Sequence, residues 1–261
     1  MTALGAVVAL AERDLRAIAA SRTQLYSSML TPLLLLLFLG VGVSDGLRPE
    51  ALEGDFKAFL VAGVAVMTSV FSSTFTAASY YRDRDSGLIR VLLASPLSSR
   101  MVLLGKSVTG VVIGSLQAVV VIAVAAPFVD LEWQYGLARG LTAAVLVVVL
   151  LNLSLAGLAS ALSTRVSSMQ GFHLIMNLAL FPLLFFSGAF FPLEDLPIWF
   201  RSLAWINPLT YAVDGLQLAT YSGDSDGYAG LWVDLPVLCG LAAIALVGGL
   251  AKAPRLTWSG R

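Results

Sequence analysis

Cysteine and histidine are almost absent from this chain: Cys239 and His173 are single occurrences in 261 residues. One thiol excludes an internal disulfide framework. One thiol and one imidazole cannot build a Cys/His zinc site, nor a Cys–His or Ser–His–Asp constellation with a partner to spare. Charge is scarce as well. Asp, Glu, Lys and Arg make up 12% of the residues, about half of the roughly 25% found in soluble domains. Neither sign is in excess, since sixteen basic residues balance sixteen acidic ones. Net charge therefore gives no argument for nucleic acid. No Gly-x-x-x-x-Gly-Lys-Ser/Thr loop occurs, so ATP is not bound in the familiar way. What the chain has in quantity is apolar residues, 58% of the total.

Those residues are gathered into long runs. A bilayer core of about 30 Å needs about 20 mostly apolar helical residues. Six stretches qualify, at 25–43, 58–79, 107–129, 140–162, 172–191 and 235–251, and none holds Asp, Glu, Lys or Arg within it. The expected fold is an all-α integral membrane protein with six transmembrane helices. Twelve of the sixteen basic residues fall on one side: Arg13, Arg16 and Arg22, then Arg82, Arg84, Arg90, Arg100 and Lys106, then Arg165, and finally Lys252, Arg255 and Arg261. Four, Arg48, Lys57, Arg139 and Arg201, fall on the other. Basic residues accumulate on the cytoplasmic side, which puts both termini in the cytoplasm, including a tail at 252–261.

Residues 1–24 do not suit a signal peptide, because Glu12, Arg13, Asp14 and Arg16 interrupt any apolar core. Leu4, Val8, Ala11, Leu15 and Ile18 recur at helical spacing instead. This reads as an amphipathic helix in the cytoplasmic interface, with a solvated tail as the plainer alternative. In the loop from Tyr80 to Lys106, Ser86 can cap a short helix with Leu88, Val91 and Leu92 on one face, and Pro96 ends it. Ser98 or Ser99 can cap the helix that follows. Composition there serves a docking element for a soluble partner or an ordinary topology-setting loop equally well.

The segment from Pro192 to Asp234 is too long for a plain connector. Pro197 suits the first position of a short apolar helix, and Asn207 with Pro208 opens a second that carries Leu209, Ala212, Val213 and Leu216. Gly223 is a natural stop, and the following Ser-Gly-Asp-Ser-Asp-Gly lacks the ligands of a calcium loop. Trp199, Trp205 and Tyr211 belong at headgroup level. The pattern predicts two re-entrant helices on the outer side before the last span. Within the spans, Ser69, Ser72, Ser73 and Thr76 form a hydroxyl stripe beside Phe71 and Phe75. Gln117, Asn152 and Asn177 are single amides, and Gly110-x-x-x-Gly114 is a small-residue contact. Helix packing accounts for all of them without a ligand, and a role in a transport path is the alternative. No span holds the carboxylate usual in ion-coupled carriers, nor a channel filter.

Asp85-Ser-Gly-Leu-Ile, Ala94-Ser-Pro-Leu-Ser98 and Leu103-Leu-Gly-Lys106 together resemble the cytoplasmic signature of type-2 ATP-binding-cassette permeases. Phe186-Ser-Gly-Ala-Phe-Phe-Pro-Leu-Glu-Asp-Leu-Pro197 and Ile206-Asn-Pro-Leu-Thr-Tyr-Ala-Val-Asp-Gly-Leu216 resemble that family's second signature. The Asp-Ser-Gly-Leu variant is closer to the drug-resistance type, such as daunorubicin-exporter permeases. The resemblance implies a prokaryotic plasma-membrane permease that dimerises and pairs with two separate ATPase subunits. Those partners would use ATP and Mg, while this chain binds no cofactor, metal or nucleic acid and catalyses nothing itself. It assigns ATPase coupling to Arg84, Ser86, Gly87, Leu88, Arg90, Val91, Leu92 and Pro96. The second and fifth spans would face the path, through Ser69, Phe71, Ser72, Phe75, Thr76, Asn177, Phe181 and Phe185. Pro192, Pro197, Asn207, Pro208 and Asp214 would shape the outer gate. The implied cargo is a lipophilic or amphipathic drug or lipid, with a polysaccharide exporter or a secondary carrier as alternatives.

Overall fold

The computed structural model describes residues 2–42, 56–94, 97–129, 131, 133, 136–193, 196–220 and 229–251. Pro96, the Ser-Gly-Asp-Ser-Asp-Gly turn with Gly223, and the tail at 252–261 lie outside them. Among the described residues every regular element is a helix. In chain order these are α1 (Ala3–Ala20), α2 (Arg22–Gly42), α3 (Phe56–Asp85), α4 (Leu88–Ala94), α5 (Ser99–Ala125), α6 (Leu137–Ser163), α7 (Met169–Phe185), α8 (Ile198–Ile206), α9 (Pro208–Thr220) and α10 (Leu231–Ala251).

The helix α3 forms the centre of the bundle. A helix that is apolar all round must be surrounded, and Leu60, Val61, Val64, Ala65 and Val66 of α3 are all inaccessible. It packs against α2, α5, α6 and α9. Small residues allow the close crossings. A Cβ on Gly114 of α5 would lie 2.0 Å from the Asn152 side chain of α6, and one on Gly63 of α3 would lie 2.2 Å from the Ala189 carbonyl. Both glycines are fixed by what stands against them.

By length and composition α3, α5, α6 and α10 can cross a membrane, while Leu25–Leu39 and Met169–Phe185 are shorter apolar helices. The fifth apolar stretch differs from its expected extent. Its helix stops at Phe185 rather than Phe191: the Ser187 N–H tightens to the Leu184 carbonyl and Gly188 turns the chain at φ 80°. The last helix also differs: it starts at Leu231, four residues before the expected span, and so takes in Asp234.

The first helix keeps its amphipathic character but buries a different face. Ala6, Leu10, Asp14 and Ile18, spaced by four, are buried together with Ala11, while Leu4 and Val8 are exposed. A charged residue therefore stands in the middle of the packed face, opposite α5.

Candidate functional site

Three groups of residues matter, one at each end of the bundle and one between α3 and α7. At the first end α3 runs beyond the apolar core and finishes in Arg82, Asp83, Arg84 and Asp85. Gly87 at φ 76° breaks the helix and turns the chain into α4. Ser86 does not cap α4 as expected; its Oγ donates to the Asp83 carbonyl at 3.2 Å and closes α3 instead. Ser98 caps α5 as expected, accepting from the Met101 N–H at 3.3 Å. On α4 the residue turned inward is Ile89, which is buried. Leu88 and Leu92 are half-buried and Val91 is 67% exposed, so the expected apolar face is divided between the protein and its surroundings. The Arg90 side chain lies outside the described residues.

The same end of α3 is tied sideways in two directions. The Arg84 guanidinium donates to the Ser167 carbonyl and lies over the Tyr81 ring, 5.8 Å from its centroid. Buried Tyr81 donates its hydroxyl to the Val166 carbonyl at 3.3 Å. These contacts hold the turn before α7, where Ser168 accepts from the Gly171 N–H and caps that helix.

On the other flank is a charge cluster that sequence patterns did not bring together. Asp83 Oδ2 accepts from Arg13 at 2.7 Å and from Lys106 Nζ at 2.6 Å. Asp14 accepts from Arg13 Nε at 2.9 Å and, through its other oxygen, from Lys106 Nζ at 3.1 Å. Lys106 also donates to Ser79 Oγ at 3.2 Å. Asp14 and Lys106 are only 5% and 8% exposed, and two cations meet two carboxylates, so the cluster is neutral. Burial alone would lower the Arg13 pKa, but the hydrogen bonds and charges of Asp14 and Asp83 outweigh it and raise it. The readable signal was the spacing: Asp14 lies in the i, i+4 row of Leu10 and Ile18, and Lys106 directly precedes an apolar run.

Between α3 and α7 lies a small, narrow cleft lined by Val70, Phe71, Thr74, Asn177, Phe181 and Leu184 among others. Phe71 and Phe181 meet edge to face with centroids 5.9 Å apart. Three of the expected path residues thus come together, joined by Thr74 and Leu184, which the sequence did not single out. The hydroxyl stripe goes elsewhere. Ser69 accepts from Asn152 Nδ2 at 3.0 Å, and Thr76 donates to the Ser72 carbonyl at 2.8 Å. Thr76 and Ser73 line a second cleft between α3, α5 and α6, with Ser107, Ser160 and Lys106. Ser72 is buried, and its Oγ has no hydrogen-bond partner among the described residues. Phe185 is exposed and packs on Phe190 outside the cleft. The Phe75 side chain lies outside the described residues. Helix geometry explains the division, since residues 71 and 74 share one face and 69, 73 and 76 another.

At the opposite end Asn207 joins three elements. Its Oδ1 accepts from the Leu209 N–H at 3.0 Å, capping α9, and its Nδ2 donates to the Leu183 carbonyl of α7 at 2.5 Å. Pro208 occupies the first position of α9 as expected, whereas Pro197 caps α8 from one residue before it. Half-buried Pro192 lies in the irregular connection between α7 and α8. The Asp214 carboxylate accepts from the Ala229 and Gly230 N–H groups at 2.7 and 3.1 Å, holding the start of α10. Asp234, fully buried in that first turn, lies beside Asp214. Leu209, Ala212, Val213 and Leu216 of α9 are buried, while Ile198, Trp199 and Ile206 of α8 are largely exposed.

Comparison with known proteins finds relatives among transport permeases. The "Probable multidrug ABC transporter permease YbhR" of Escherichia coli (strain K12) is 29% identical over 163 residues, 61% of this chain and 43% of that protein. The "Putative transport permease ycf38" of Pyropia yezoensis is 31% identical over 197 residues, 74% of this chain and 66% of that one. "Nodulation protein J" of Rhizobium meliloti (strain 1021) is 29% identical over 189 residues, covering 71% and 70%. The chain thus spans less than half of the bacterial multidrug permease and just under two thirds of the algal one. Residues 5–221 match the family described as ABC-2 type transporter, a range that takes in α1, the α3–α4 corner, the α3–α7 cleft and Asn207, and the chain belongs to that family.

Proposed function

We propose that this chain is the permease subunit of an ATP-driven exporter. Two copies would pair with two separate ATPase subunits and move a lipophilic or amphipathic compound out across a prokaryotic plasma membrane. The observation that carries this reading is the α3–α4 corner. A short helix with an exposed Val91 stands beyond the apolar core, on a helix whose end is bonded to α1, α5 and the turn leading into α7. A push on α4 therefore reaches α7, which borders the α3–α7 cleft. The concentration of basic residues at this end supports placing it, and both termini, in the cytoplasm. The cleft offers aromatic rings and a single amide and no charge, which suits a neutral or weakly polar cargo, and the name of the Escherichia coli relative points the same way.

Co-purification tests the assembly. The chain, tagged and extracted from its own membranes, is expected to bring down a phosphate-loop ATPase in equal amount, and to show no ATP hydrolysis when that partner is stripped away. Recovery of a fully transporting permease without any ATPase would refute the reading.

A further inference from the structure

We propose that the Arg13–Asp14–Asp83–Lys106 cluster is a clamp that fuses α1 to the α3–α4 corner, so that a load on α4 moves α1, α3 and α5 as one body. This rests on the permease reading above and names the residues that couple it. Each carboxylate accepts from both cations. Sliding α1 would draw Asp14 away from buried Lys106 and Arg13 away from Asp83 together, which makes gradual movement costly. The three helices come from distant parts of the sequence: Arg13 and Asp83 are 70 positions apart, and Asp14 and Lys106 are 92 apart. Asp83 stands in the last turn of α3, immediately before the Gly87 break, where a force on α4 first enters the bundle.

Packing beside the charges fixes the same register. A Cβ on Gly105 would lie 2.8 Å from the Leu10 Cβ, and Thr109 donates to the Ala11 carbonyl at 3.3 Å. Apolar side chains could have attached α1 with equal strength, since buried ion pairs gain little over well-packed hydrophobic ones. What the alternating charges add is a single allowed alignment of α1 against α3 and α5. In this proposal Arg13, Asp14, Asp83 and Lys106 are positioning residues, acting through the helices they join.

The test uses the permease with the ATPase that co-purifies with it, reconstituted in vesicles. Spin labels go on Ala17 and Asp85, both exposed, in a Cys239→Ser background, and their separation is read without nucleotide and with trapped ATP. In the otherwise native protein that distance is expected to stay constant, while the distance from Asp85 to a label on exposed Ile198 changes. Asp83→Asn with Lys106→Gln should make the first distance shift and broaden with ATP. It should also lower transport per ATP by about tenfold with the ATPase still bound, and Asp83→Glu should largely restore coupling. A 17–85 distance that changes with ATP in the native background overturns the clamp, even if the neutral variant fails to fold. So does unchanged coupling in a folded neutral variant. Absence of any bound ATPase would instead defeat the permease reading and the clamp with it.

Discussion

Lys106 shows how much a single residue of a membrane protein can depend on partners far away in sequence. Counting charges for orientation treats each Lys or Arg as facing water, and on that basis Lys106 is one of twelve on its side. In the folded chain its amine is buried between Asp14, Asp83 and Ser79. Lys106→Met leaves two carboxylates to share Arg13, and breaking a buried pair by removing one partner costs about 3–5 kcal/mol. Chemical unfolding in mixed micelles should show that loss. Replacing all four residues with Met or Leu of similar volume should recover most of it, because no charge then remains unpaired. Asn207 is the opposite case. Its capping role was legible, because an Asn before Pro at a helix start acts locally. Its second bond, to the Leu183 carbonyl, depends on where α7 ends, and nothing near residue 207 reveals that.

At the scale of elements, hydropathy located the long helices well, because apolar length is a property of the segment itself. The ends were less legible. The turn at Gly188 stops α7 early, and α10 begins before its apolar run because Asp214 holds the Ala229 and Gly230 amides. The α4 face was half legible. Spacing identified Leu88, Val91 and Leu92 as apolar neighbours, but which of them faces outward is settled by how Gly87 turns the chain. Burial separates two kinds of position within these seven residues. Val91→Asp changes an exposed position and should weaken ATPase association by about ten- to a hundredfold, the value of about 1.5–3 kcal/mol for one buried large side chain, with the fold intact. Ile89→Ser changes the buried position and should loosen α4 itself, seen as faster amide exchange over 88–94. Equal ATPase affinity in native protein and the Val91 variant would remove α4 from the interface.

The whole molecule is a bundle in which one central helix connects its two ends. At one end α3 carries the corner with α4 and the bonds to α1, α5 and the turn before α7; further along it borders the aromatic cleft and then meets the Ala189 backbone at Gly63. Architecture and family were legible from span lengths and two local signatures. The division of α3 into a cleft face and a hydroxyl face was not, because it depends on which neighbour each face meets. If the driving force comes from a second chain, energised vesicles should transport only when that chain is present. Inside-out vesicles carrying the permease and its co-purified ATPase should accumulate a lipophilic fluorescent dye when given ATP and Mg. Vesicles carrying the permease alone should accumulate none, with ATP or with an imposed proton or sodium gradient. Gradient-driven accumulation by the permease alone would show that it is a self-sufficient carrier.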